Sequence, residues 1–123
     1  MRSDSHLAHN KNLSPVDIAN LPLIIPRRSI VIDEIAKWLN MKPEQLNVVA
    51  SHNLPTNGLL LVQNHIGYLI CVQGSITIRP TPNITFVPFY PERTTGHVLV
   101  WKKHHSISNA SFKFLLFIQD FIS

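Results

Sequence analysis

Nine prolines cut this chain into short apolar runs and stretches of helical period, and that punctuation constrains the fold most. Proline lacks an amide donor and disfavours helix at the residue before it, so long helices and central strands cannot run through one. Ser14-Pro15-Val16-Asp17 reads as a helix start. Ser14 is the cap, Pro15 suits the first helical position, and Asp17 sits where a carboxylate reaches back to the cap. Pro22 ends that turn. Leu23-Ile24-Ile25, stopped by Pro26, suits a short buried strand.

From Ser29 the period becomes helical. Val31, Ile35 and Leu39 or Trp38 share one face, with Ile32 and Ala36 beside them and Asp33, Glu34 and Lys37 opposite. Ser29 is the expected cap, and Lys42-Pro43 marks the end. A second strand is predicted over 46–50, then a helix opening at Asn53-Leu54-Pro55-Thr56 and stopping near Asn64. Further strands are predicted over 67–72, closed by Gly74, over 84–88 and over His97 to Lys102. A last helix covers 108–122, with Phe114, Leu115, Ile118, Phe121 and Ile122 as its apolar stripe. The alternation predicts an α/β fold: a mostly parallel or mixed five-stranded sheet with helices on both faces.

At 123 residues the chain is one domain's worth of polymer. An apolar fraction of 45% with a net charge of +4 argues against a disordered chain. No apolar run reaches the roughly 18 residues of a membrane span, and no charged start leads into an apolar signal segment. Cys71, without a second cysteine, forbids an internal disulfide. A soluble, cytoplasmic protein with no membrane partner is expected. The basic excess gathers at Arg27-Arg28 and Lys102-Lys103 rather than along one stripe, so a solvated surface is preferred to a nucleic-acid face.

Chemistry-bearing motifs are sparse. His6 and His9 fall in a polar leader, His104 and His105 are adjacent, and no HExxH pattern accompanies them, so no metal site is expected. Cys71 lies inside an apolar run, the setting of a core residue rather than a nucleophile. Ser29, Ser51 and Ser75 lack a nucleophile elbow, and there is no Gly-rich phosphate loop. No catalytic residue, cofactor or enzymatic activity is expected.

The informative segment is Pro26-Arg27-Arg28-Ser29-Ile30, which follows a buried strand and opens a helix. Free amides at a helix start attract anions, and open α/β sheets bind ligands beyond the carboxyl ends of their strands. A Ser29 hydroxyl with Arg27 or Arg28 suits a carboxylate or phosphate. Equally, Ser29 caps and the arginines are merely solvated. Asn53-Leu54-Pro55-Thr56 is a second such junction, without charge.

Taken in order, the segments resemble the effector-binding (substrate-binding) domain of LysR-type transcriptional regulators, specifically its second lobe and C-terminal tail. Asp4-Ser5-His6-Leu7-Ala8 is similar to a degraded D-H-P-L-A, and 13–18 with Leu21-Pro22-Leu23-Ile24 to the family's "DL...PLI" segment. Residues 46–50, 58–62 and Ile66-Gly67-Tyr68 follow its strand, helix and strand. Phe86-Val87-Pro88-Phe89, 98–103 and 108–112 fit its last strands and helix. One departure is His65, where the family usually has a glycine able to take a positive φ.

The resemblance implies one lobe of a type 2 periplasmic-binding-protein-like fold, with residues 1–103 as the lobe and 104–123 as the C-terminal helix. It implies a regulatory domain for a small, often anionic effector, with Ser29, Ile30 and Arg28 on one edge of the cleft wall and Asn53, Leu54 and Thr56 on the other. The family's winged helix-turn-helix, through which it reaches DNA, its linker helix and its first lobe have no counterpart in these residues. Half a cleft binds weakly. The last helix packs on the first lobe in that fold, so here it either folds back or joins two chains as a homodimer. The alternative function is a protein-interaction module without ligand; a small basic nucleic-acid binder is a third.

Overall fold

The apolar run that ends at Pro26 forms the middle strand of a three-stranded parallel sheet. In this computed structural model, which describes every residue except Arg79, His97 and Ser123, eight elements follow one another. They are α1 (Pro15–Ile18), β1 (Leu23–Pro26), α2 (Ser29–Trp38), β2 (Val48–His52), α3 (Pro55–Gln63), β3 (Tyr68–Leu69), α4 (Gly74–Thr77) and α5 (Asn109–Ile122). A 3₁₀ turn, Pro43–Gln45, links α2 to β2. The sheet order is β2-β1-β3. Leu23, Ile24 and Ile25 are 0% exposed, as a parallel strand covered on both faces requires.

Local chemistry explains the starts and stops. The Asp17 carboxylate accepts from both the amide and the hydroxyl of Ser14 at 2.8 Å, which fixes α1 where the sequence placed it. α2 begins at its expected cap, one residue earlier than the sequence predicts. Arg28 holds the extended cap conformation and Ser29 is the first helical residue, so no side chain caps this helix. Asn40, at φ 53°, then turns the chain out of α2 in the left-handed conformation. α3 ends at Asn64 as expected, but the left-handed residue is His65, at φ 61°.

The two crossovers run in opposite directions along the sheet and leave their helices on opposite faces. Leu23 and Ile25 pack with Ile35, Ala36, Trp38 and Leu39 of α2 in the main core. On the other face lies α3. Leu69 and His52 stand so close to its Gly58 that a Cβ there would come within 2.6 Å of the Leu69 side chain.

Two predicted strands do not join this sheet. Residues 83–90 give their backbone bonds to the amino-terminal segment instead: the Thr85 amide donates to the Met1 carbonyl (2.9 Å), the Ser3 amide to Asn83 (2.8 Å) and the Tyr90 amide to Leu13 (2.8 Å). Phe89 stacks on Trp38, with ring centroids 4.2 Å apart. Turned towards that segment, 84–88 does not join the sheet; among the described residues β3 pairs with β1 alone, and β3 itself is two residues long. Gly74 opens α4 rather than closing a strand. The expected fifth strand begins at His97, which lies outside the described residues; 98–102 has no regular structure, and Val98 and Val100 are exposed. Among the described residues, 98–102 pairs with no strand of the sheet. The fold is therefore a small α/β unit with helices on both faces, and it does not show the five-stranded, periplasmic-binding-protein-like lobe.

Candidate functional site

The parallel pairing brings the two expected site segments together. Pro26 aligns with His52 at the carboxyl ends of β1 and β2, and the Arg27 amide donates to the His52 carbonyl at 3.0 Å. The chain then leaves both strands side by side, one into α2 and the other into α3. Arg28, Ser29, Ile30, Asn53, Leu54 and Thr56 are all exposed at this edge. Asn53 is held locally, its side-chain oxygen accepting from the Asn57 amide group at 3.1 Å. The amino end of α2 lacks a side-chain cap, so its dipole and first amides face outward, next to two guanidinium groups.

None of these six residues belongs to the lining of the cavity beside β3. The large cavity, of about 550 Å³, lies along the neighbouring edge, where the sheet order reverses between β1 and β3. Val31 and Ile35 of α2, Ile70 and Val72 beyond β3, and Phe86 and Val87 of the turned-away segment supply apolar wall. Gln73, Thr85, Glu92 and Arg93 bring polar groups to it. Pro26 and Val31 belong to this lining, so Arg28 and Ser29 stand between two lining residues in the chain.

Sequence reasoning found the helix start but missed this cavity. Its walls come from β3 and from 84–95, and only the strand order, which no local pattern encodes, places them beside β1. Cys71 is among the lining residues. Burial pushes its thiol up from the ordinary value, so the thiolate is not the form present at neutral pH.

Among the described residues His52 is the one buried polar or charged residue, and neither of its ring nitrogens has a hydrogen-bond partner there. Burial lowers its pKa, with the Leu54 carbonyl pulling the other way. A neutral imidazole thus sits beneath the two exposed junctions. Among the described residues no three His, Cys, Asp or Glu side chains come together as a metal site. No described helix is long and apolar enough to cross a membrane. Comparison with protein-family models, with curated proteins and with solved structures gives no match to this chain.

Proposed function

We propose that this chain is a non-enzymatic module that binds a small anion with an apolar body, akin to one lobe of the effector domain of LysR-type regulators. The observation that carries the reading is the cavity of about 550 Å³ at the reversal between β1 and β3. Open α/β sheets take their ligands at such a place, and pockets of this size suit small molecules. The apolar wall receives the hydrocarbon part. The uncapped start of α2, with Arg28 and the Ser29 hydroxyl, receives the negative charge. The ordered motif set supports the kinship, and with it a cytoplasmic regulator that meets DNA through a separate winged helix-turn-helix. As one wall of a cleft, the chain leaves its ligand partly hydrated and holds it weakly.

Calorimetry of the chain against benzoate and short straight-chain carboxylates, each compared with its uncharged amide, tests this. Carboxylates are expected to bind and amides not. Ser29→Ala should weaken binding about fivefold, the worth of one hydrogen bond of roughly 1 kcal/mol. Equal heats for wild type and Ser29→Ala, or equal heats for acid and amide, contradict the reading. A second reading, an interaction module without ligand, is favoured by the exposed apolar face of α5.

A further inference from the structure

α5 is a helix without a layer to lie on. Nine of its fourteen residues are apolar, yet none is buried. Leu115 and Ile118 are half-covered, and Leu115 lines a hollow together with Leu99, Trp101 and Ile107, so one side of the helix rests on the chain that leads into it. The opposite side faces out. Phe112 (53% exposed), Leu116 (46%), Phe117 (65%) and Phe121 (79%) lie on or beside it. Helices apolar all round are covered in folded proteins, and monomers seldom expose apolar patches beyond a few hundred Å². These four leave roughly 500 Å² of apolar side chain open on the outward side at about 200 Å² per large residue. With the stems of Lys113 and Asp120, that is the scale of the smaller specific interfaces, which bury under about 1,200 Å² in total.

The pattern of the outward side identifies what covers it. Lys113, Leu116, Phe117 and Asp120 follow one another at the i, i+3, i+4, i+7 spacing of a single face. They read as a cation, two apolar residues and an anion. Reversed end for end, the sequence of types is its own complement. We infer that α5 pairs with α5 of a second copy of this chain, antiparallel, about a two-fold axis between Leu116 and Phe117.

That register sets Lys113 against the partner's Asp120, Leu116 against the partner's Phe117 and Phe112 against the partner's Phe121, each contact occurring twice as a two-fold interface demands. A parallel pairing sets lysine on lysine and aspartate on aspartate, so the charges select the direction. Phe117 and Phe121 already stack in the single chain, centroids 6.4 Å apart at 20°, which reduces the ordering that association would require. This pairing stands independently of ligand binding at the sheet edge.

Sedimentation equilibrium and light scattering on the full chain test it. The wild type should be a dimer at micromolar concentration. Lys113→Glu and Asp120→Lys each put like charges together at two places and should weaken the dimer about tenfold. The chain carrying both substitutions restores opposite charges and should return to within about twofold of wild type. Circular dichroism confirms that each exposed-site variant stays folded. A monomer at high micromolar concentration, a dimer indifferent to the single reversals, or single losses that the double exchange fails to recover would each overturn the pairing. A monomer that floats with phosphatidylcholine–phosphatidylglycerol vesicles would likewise overturn it and give the face to a lipid surface.

Discussion

His65 holds φ at 61°, a conformation that glycine adopts freely and a residue with a Cβ adopts at a cost of about 1 kcal/mol. His65→Gly should therefore raise stability by up to about 1 kcal/mol, less the entropy glycine adds to the unfolded chain. Urea unfolding of the two proteins checks this, and a loss of stability would mean that the imidazole makes contacts worth more than the strain. His52 behaves differently. Its folded pKa lies below the ordinary 6.5 because burial disfavours the charged ring. The native state then binds fewer protons than the unfolded one, so stability is whole above pH 6.5 and falls as the pH drops towards the folded value. Pro26 beside it on β1 and Gly58 over it on α3 carry no charge to oppose this. His52→Leu should remove that acid-side slope and leave stability at pH 7.5 equal or about 1 kcal/mol higher, since two unpartnered ring nitrogens go with it. Urea midpoints from pH 5 to 8 decide the matter; an unchanged slope would place the titrating group elsewhere.

Among the elements, the two glycines against the sheet separate two kinds of close approach. A Cβ on Gly67 would meet the Pro22 backbone oxygen at 2.6 Å, which only a shift of β1 or β3 could relieve. A Cβ on Gly58 would meet the end of the Leu69 side chain at the same distance, and alanine in place of glycine gains about 1 kcal/mol in a helix. Gly67→Ala should cost about 2–3 kcal/mol and Gly58→Ala distinctly less; the reverse order in thermal unfolding would contradict the packing described. These elements were legible in the sequence wherever the deciding contact was local. Asp17 reaching back to Ser14, Pro26 stopping a fully apolar run, and Asn64 closing α3 are all decided within a few residues. The fate of 84–88 was not, because its apolar run reads as a sheet strand until the Met1 and Leu13 backbones, more than seventy positions away, take its bonds. The candidate site divided the same way: Arg28 and Ser29 announce a helix start, whereas Ile70 and Arg93 become its neighbours only through the strand order.

For the whole molecule, the core and the tail are separate matters. Every buried hydrophobic residue of the described chain lies between Leu7 and Val87, so the sheet and its two flanking helices hold the fold without α5. Removing 106–123 should leave the chain unfolding cooperatively, with a free energy within about 1 kcal/mol of the full chain measured as monomer. Loss of a cooperative transition would show that the tail belongs to the core. What the molecule then offers beyond the carboxyl end of β1 is a sheet reversal with an apolar cavity on one side and an uncapped, doubly basic helix start on the other. Amide chemical shifts during titration with benzoate test that claim most directly. Saturable shifts are predicted at Ser29, Ile30 and Val31 together with Ile70 to Gln73, on a single binding curve. Shifts confined to α5, or none at either strand end, would contradict it.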